Sequence, residues 1–310
     1  MHFLFNRRRF ASALMGAALA FASAPPAGAA DAVKVSSKLD AEASVLGNII
    51  LQALNANGVP TENKLQLGPT KIVRTALLSG EIDIYPEYTG NAAFFHNDDS
   101  DPAWKNLEAG YKKAKELDAK DKVVWLAAAP ANNTWAIAVR QDVATPNKLV
   151  TVADFAKWVN GGGKVKLAGS AEFVESPAAL PAFQSTYGFK LGPDQIVVLA
   201  GGDTAVFEKA AAEGTSGVNS AVAYGTDGAI SALGLVALED DKGAQIVYAP
   251  APVVRAGVLA KYPQIEKALA PVFASLDAAT LRKLNAEISL EGKDAKAVAA
   301  AYLKAKGFVK

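Results

Sequence analysis

The chain has 310 residues, 32 basic and 31 acidic side chains, two histidines and no cysteine, for a formal charge of +1. A near-neutral chain without basic clusters argues against nucleic acid, which requires a positive footprint. The missing thiol excludes disulfides, haem attachment and thiolate metal sites, so the fold must rest on its core alone.

The first 30 residues read as an export signal that is removed. Arg7-Arg8-Arg9-Phe10 is a basic head, Ala11 to Ala22 a small apolar run, and Ala27-Gly28-Ala29 fits the small-residue cleavage rule, with cleavage near residue 29 or 30. Arg-Arg-x-Phe partly matches the twin-arginine signal, so the general secretory route and the twin-arginine route both stay open. No later segment reaches about 18 uninterrupted apolar residues, which predicts no membrane span. Loss of Arg7, Arg8 and Arg9 turns the formal charge to about −2.

In the mature chain Val33 to Ser36 predicts a buried strand, followed by a helix carrying Leu46, Ile49, Ile50, Ala53 and Leu54 at helical spacing and ended by Asn57-Gly58 and Pro60. Lys64 to Leu67 predicts a second strand, and Gly68-Pro69-Thr70 opens a helix with Ile72, Val73, Ala76 and Leu77. A third strand runs through Ile82 and Ile84 and is expected to stop at Pro86, leaving Glu87-Tyr88-Thr89-Gly90 on a loop at its carboxyl end. That end of a strand is where open α/β sheets bind ligands; an ordinary strand corner with a packed tyrosine is the plainer reading. Strand-helix units in series predict a parallel sheet covered by helices. Ala103 to Leu117 predicts a further amphipathic helix and Val123 to Leu126 a further strand.

The pattern restarts at Pro130-Ala131-Asn132-Asn133, read as the first crossing between two lobes. Thr134 to Val139 is a strand. Thr151 caps a helix through Asn160, with Asp154 in its first turn. Val165 to Ala168, a helix near Ala179 to Tyr187, Ile196 to Leu199, a helix from Gly201-Gly202-Asp203-Thr204 through Glu213, and Ala221 to Tyr224 repeat the alternation. Leu235 to Leu238 and Gln245 to Tyr248 are expected to be strands flanking a turn at Asp240 to Gly243, after which the chain crosses back. From Pro263 it is helical, with Asp277 and Asp294 as caps and Gly307 as the stop. The domain reading is a signal peptide at 1–30, one lobe at 31–131 plus 248–310, and a second at 132–247.

Catalysis and metal binding find little support. A nucleophilic triad or a zinc site would rest on one mature histidine, His96, expected on a surface loop. Asp98-Asp99-Ser100-Asp101 lacks the glycine and terminal glutamate of a calcium loop and reads as a solvated acidic turn. Gly201-Gly202-Asp203-Thr204 lacks the lysine of a nucleotide loop and reads as helix capping. What stands out is aromatic: Tyr88, Trp135, Tyr224 and Tyr248 fall at strand ends or crossings, and ring faces meeting in one cavity hold a cation that cannot donate hydrogen bonds, above all a trimethylammonium.

The chain resembles the periplasmic substrate-binding proteins of ATP-driven importers for quaternary-amine osmoprotectants, most closely the low-affinity glycine betaine-binding type. The resemblance covers essentially the whole mature chain. It rests on Ser37 to Glu42, Gly80 to Asn91, Ala131 to Arg140, Ala200 to Ala205, Ala223 to Gly228 and Tyr248 to Arg255. It implies an α/β clamshell of type II, two lobes joined by two hinge crossings that close on the ligand. Carried over by position, Tyr88, Tyr224 and Tyr248 match cage tyrosines, and Trp135 stands where relatives often have tyrosine. Lys38 matches the carboxylate-binding lysine; Asn91, where a second threonine is common, Asn133 and Thr226 complete the expected ligand set. Ser176 stands where the family usually has arginine, which removes a bidentate carboxylate contact and leaves glycine betaine and a carboxylate-free ligand such as choline both open.

The expected function is therefore a periplasmic, monomeric binding protein, not an enzyme and without cofactor, that delivers a small quaternary amine to a membrane permease. Two rivals remain. One is a binder of zwitterionic amino acids on the same fold, using Glu87 or Asp227 for the primary ammonium. The other is a periplasmic hydrolase using the paired carboxylates Asp83 and Glu87.

Overall fold

The computed structural model describes residues 32–200 and 203–309; the expected signal peptide, and Gly201-Gly202 of the capping motif, lie outside the described residues. The first part of the chain runs β1 (Val33–Ser36), α1 (Ala41–Ala56), β2 (Thr61–Lys64), α2 (Thr70–Ser79), β3 (Ile84–Tyr88), α3 (Thr89–Phe95), α4 (Leu107–Asp118) and β4 (Val123–Trp125). The middle runs β5 (Trp135–Arg140), α5 (Gln141–Asn147), α6 (Val152–Asn160), β6 (Leu167–Gly169), α7 (Ala171–Glu175), α8 (Leu180–Tyr187), β7 (Ile196–Val198), α9 (Thr204–Glu213), β8 (Ser220–Tyr224), α10 (Gly228–Ala232) and β9 (Leu235–Ala237). The last part adds β10 (Pro250–Arg255), α11 (Ala256–Lys261), α12 (Gln264–Ala274), α13 (Ala278–Ser289) and α14 (Ala295–Ala305).

The strands form two five-stranded sheets, ordered β2-β1-β3-β10-β4 and β7-β6-β8-β5-β9. In each sheet three neighbouring strands are parallel, whereas β10 runs antiparallel to β3 and β4 and β5 antiparallel to β8 and β9. The sheets are thus mixed, not parallel throughout, because β10 enters the first sheet only after the chain has built the second. The crossings between β4 and β5 and between β9 and β10 lie side by side. Thr134 Oγ1 donates to the Ile246 carbonyl (2.7 Å), Asn133 N to the Tyr248 carbonyl (3.0 Å) and Tyr248 N to Asn132 Oδ1 (2.8 Å). Gln245 to Tyr248, expected as a strand, joins no ladder; its backbone bonds to the other crossing at Ile246 and Tyr248, to Asp240 at Gln245 and to Trp104 and Thr89 at Val247.

Each sheet has its own core. Along β3, Ile84 faces one side with Leu46, Ile50 and Phe273, while Tyr85 faces the other with Trp104 and Trp125; such burial on both faces is what helices covering a sheet produce. The second sheet packs around Phe155, Phe173, Phe183 and Phe207. Three boundary expectations need correction. β2 covers Thr61–Lys64, not Lys64 to Leu67, because it is a mostly exposed edge strand with no apolar signal. β3 does not stop at Pro86 but continues to Tyr88. Pro252 opposes Pro86, and the Pro252 carbonyl accepts from Leu126 on the β4 side, so this is a pair whose backbone polar groups face away from each other. Pro86 therefore withholds no ladder bond from β10, and β1 pairs with β3 only back at Val35 and Ile84. Finally, α3 begins directly at Thr89, so Thr89 and Gly90 lie in a helix, not a loop.

His96, expected on a surface loop, ends α3, with Nε2 2.7 Å from the buried Asp118. Asp121 joins this group, but its cation is Arg74, which bonds both Asp118 oxygens at 2.8 and 2.7 Å and reaches Asp121 at 3.4 Å. Asp98 and Asp101 both pair with Lys113.

One buried acid works against the fold. Glu208 on α9 is 1% exposed and neither carboxylate oxygen has a hydrogen-bond partner among the described residues. Burial, with Asp227 and Asp203 nearby, pushes its carboxyl up to about 9 from 4.5. The folded state holds a proton that the unfolded chain releases near pH 4.5, so stability is greatest below that pH and falls as pH rises toward 9. Glu208→Gln is expected to stabilise the protein by about 1–3 kcal/mol at pH 8 and by far less at pH 5. Urea melts at the two pH values check this, and an equal effect at both contradicts it.

Candidate functional site

Two adjoining cavities open between the carboxyl ends of the two sheets. The smaller, about 480 Å³, is lined by Lys38, Glu42, Tyr88, Asn91, Asn133, Tyr224, Thr226, Asp227, Tyr248 and Asn285, among others. The larger, about 690 Å³, is lined by Phe94, Asn133, Trp135, Glu172, Ser176, Tyr224 and Tyr248 among others. All eight residues singled out in the sequence line one or both, and Asn133, Tyr224 and Tyr248 line both. The four rings do not share one chamber: Tyr88 faces the smaller cavity, Trp135 the larger, and Tyr224 and Tyr248 stand between.

Local backbone explains these positions. Tyr88 is the last residue of β3 and Tyr224 the last of β8. Trp135 opens β5 directly opposite Tyr224, and burial pushes the Tyr224 hydroxyl up while the neighbouring indole N–H works against that rise. The Trp135 ring meets Phe173 edge to face at 5.9 Å. Tyr248 lies on the second crossing, which is tied to the start of α3 through Thr89: Thr89 N donates to Ala249 O and Thr89 Oγ1 to Val247 O. Gly90 is required here, since a Cβ on it would come within 2.7 Å of the Tyr248 ring. The second sheet's corner is equally tight. A Cβ on Gly225 would lie 2.3 Å from Asn132 O, and one on Gly228 would lie 2.4 Å from Ala286 N of α13. Helix α13 thus seats directly on α10, and Arg282 Nε donates to Gly225 O at 2.9 Å.

Lys38 is not a solvated lysine. Its ammonium is buried, 2.5 Å from Glu87 Oε1 and 4.7 Å from the Tyr88 ring centroid. Glu87 is fully buried and also accepts from Asn91 Nδ2 (2.7 Å), Tyr88 N (2.7 Å) and Tyr85 Oη (2.8 Å). Glu87 therefore fixes both Lys38 and Asn91, and Lys38 retains two further N–H groups at the cavity wall. The same saturation counts against two rival roles. Glu87 faces neither cavity, and Asp83 is held by Arg255 (2.5 Å) and by Lys34 N (2.9 Å), so Asp83 and Glu87 do not form an exposed pair of catalytic carboxylates. Asp227 does line the smaller cavity, accepting from Tyr224 N at 2.7 Å, and burial raises its carboxyl.

Two residues of the smaller cavity escaped sequence reasoning. Glu42 reads as an ordinary acid in the first turn of α1, behind the Asp40 cap. Asn285 carried a usable signal: it lies four residues after Leu281 on the apolar stripe of α13, where a polar side chain is out of place. The Asn285 amide donates to Glu42 Oε2 (2.7 Å) and Thr226 O (2.9 Å).

Comparison with known proteins agrees with this architecture. The chain is 62% identical over 286 residues to the glycine betaine-binding protein YehZ of Escherichia coli strain K12, covering 92% of this chain and 94% of that one. It is 30% identical over 281 residues to a glycine-betaine-binding protein of Pseudomonas aeruginosa, covering 89% and 88%. The solved structure of apo YehZ from Escherichia coli superposes with a TM-score of 0.88 at 62% identity over 90% of this chain and 100% of that one. A solved glycine betaine/carnitine/choline ABC transporter structure shares the two-lobe fold at a TM-score of 0.78 and 21% identity, covering 89% and 99%. These relatives are transport binding proteins, not enzymes. Residues 31–305 match the family described as the substrate binding domain of ABC-type glycine betaine transport systems, and the chain belongs to that family.

Proposed function

We propose that the protein is a periplasmic solute-binding protein that captures glycine betaine or a closely similar quaternary amine and hands it to the permease of an ABC importer. The observation that carries this reading is that Tyr88, Tyr224 and Tyr248 line one cavity together with Lys38. Ring faces attract an ammonium that has no hydrogen to donate, and the spare N–H groups of Lys38 with the Asn133 amide offer donors to the polar end. Thr226 and Trp135 flank the same cleft. The ligands of the two named relatives support the choice of glycine betaine.

In this reading one lobe comprises 31–131 plus 248–310 and the other 132–247, the paired crossings act as the hinge, and ligand stabilises the closed arrangement that the permease recognises. The family implies export, and no helix among the described residues is long and apolar enough to cross a membrane. We assign the mature chain to the periplasm as a monomer without a nucleic-acid partner.

Titration of the mature protein with glycine betaine, followed by intrinsic tryptophan fluorescence and by calorimetry, is expected to saturate. Tyr88→Ala and Tyr224→Ala are each expected to weaken binding by roughly 3- to 30-fold, from about 0.5–2 kcal/mol per ring. Both variants binding as the parent does sinks the cage assignment, and alanine or proline displacing betaine favours the amino-acid reading.

A further inference from the structure

Glu42 stands at the meeting point of elements that belong to both sheets. Its Oε1 accepts from Tyr88 Oη (2.8 Å) and Asn133 Nδ2 (3.1 Å), and its Oε2 from Asn285 Nδ2 (2.7 Å). The Thr226 hydroxyl also favours the charge of the same carboxylate. The amides can only donate and the hydroxyls are free to do so, so the carboxylate is satisfied as an anion with no proton of its own. Its place in the first turn of the 16-residue α1 adds the favourable end of the helix dipole. Burial raises the carboxyl, and the bonds from Thr226, Asn285 and Tyr88 oppose that rise.

This anion has no matching cation at the cavity. Lys38 is the one basic side chain on the smaller cavity's wall among the described residues, and it is already paired with Glu87. Two of the groups bound to Glu42, Tyr88 and Asn133, belong to the ligand set assigned above, as does Thr226, which favours its charge. The link to Tyr88 has an electronic consequence as well as a geometric one. A phenol that donates to a carboxylate carries more electron density, so its ring face attracts a positive charge more strongly. That face already draws an ammonium, since Lys38 Nζ lies 4.7 Å from the ring centroid.

We propose that Glu42 is a specificity-determining residue for the ligand's positive charge. Its uncompensated carboxylate, coupled to the Tyr88 ring through the phenolic hydrogen bond, makes the smaller cavity select a quaternary nitrogen over an uncharged group of the same shape. This rests on the ligand reading above and deepens it: the rings supply shape and a negative face, and Glu42 supplies net charge close by in a partly dry cleft, where Coulomb attraction is weakly screened.

The test compares glycine betaine with 3,3-dimethylbutanoate, in which carbon replaces the nitrogen and the carboxylate is kept. Calorimetric affinities are measured for the mature parent, Glu42→Gln and Tyr88→Phe, with melting temperatures to verify folding. The parent is expected to prefer betaine by at least about 20-fold, and Glu42→Gln to reduce that preference at least about fivefold by weakening betaine alone. Tyr88→Phe, which keeps the carboxylate and loses the phenolic bond, is expected to fall between them. It carries the test should the glutamine variant fail to fold. A preference ratio unchanged in the variants, or equal weakening of both ligands as a purely structural role would give, overturns the proposal. A parent that binds neither compound overturns the ligand reading and this one with it, whereas a parent that binds betaine with a ratio insensitive to Glu42 overturns this one alone.

Discussion

Asp118→Ala is expected to lower the unfolding free energy by about 3–5 kcal/mol, the loss characteristic of breaking a buried ion pair from one side. Asp118 is fully buried at the end of α4 and its two oxygens meet four donors' worth of partners. Arg74 bonds both at 2.8 and 2.7 Å, Trp125 Nε1 donates at 2.7 Å and His96 Nε2 lies at 2.7 Å. The Arg74 side chain is itself only 7% exposed, with its guanidinium carbon 4.7 Å from the Phe95 ring centroid. Burial works against its charge, and the Asp118 bonds more than restore it, so the guanidinium holds its proton more tightly than usual. Without Asp118 that charge stays buried and Asp121, at 3.4 Å and largely exposed, is a poor substitute. Asp118→Asn keeps the shape and some bonds and should fall roughly midway. Urea denaturation at pH 7 reads both, and a loss under about 1 kcal/mol for the alanine variant contradicts the assignment of this pair as buried. The consequence extends toward the ligand cleft, because Arg74 also interacts electrostatically with Tyr85 and Glu87, and Glu87 is the group that holds Lys38.

That chain of contacts also shows where sequence reading ends. Thr151, Asp277 and Asp294 were legible as helix caps because each cap bonds a backbone N–H three residues on, so the evidence lies within one turn of chain. The alternation that gives two α/β units was legible for the same reason. Lys38 and Glu87 are 49 residues apart and Glu42 and Asn285 are 243 apart; no local pattern distinguishes Glu42 from an acid placed to favour a helix start. Pro86 misled for a related reason. A proline forbids one hydrogen bond on one side of a strand, and only the register with Pro252 reveals that the bond was not required there. The antiparallel insertion of β10 was likewise invisible, since it depends on which sheet the returning chain joins. The ring residues were singled out by their places at strand ends and crossings and then matched to cage positions by the family resemblance, and the division of their surroundings into two cavities emerged only with the fold.

That division makes a sharper expectation for the rings. Tyr224 and Tyr248 line both cavities, Tyr88 only the smaller and Trp135 only the larger. A trimethylammonium held in the smaller cavity meets Tyr88, Tyr224 and Tyr248, whereas one held in the larger meets Trp135, Tyr224 and Tyr248. The double variant Tyr224→Ala/Tyr248→Ala removes two faces in either case, and at about 0.5–2 kcal/mol per face it should weaken glycine betaine by about 5- to 900-fold. The single variants then decide the location. Lys38 and the Glu42 carboxylate lie only at the smaller cavity, so Trp135→Ala is expected to change affinity less than about threefold while Tyr88→Ala costs roughly 3- to 30-fold. The two effects should be independent of Ser176, which lines only the larger cavity. Calorimetric titration of the three variants reads this directly. Should Trp135→Ala weaken betaine as much as Tyr88→Ala does, the ammonium is shared between the chambers, which requires the lobes to close until Tyr88 and Trp135 face one ligand. A double variant that binds like the parent removes Tyr224 and Tyr248 from the account and leaves Lys38, Asn133 and Glu42, with Tyr88 as the one ring beside them, to hold the ligand in the smaller cavity.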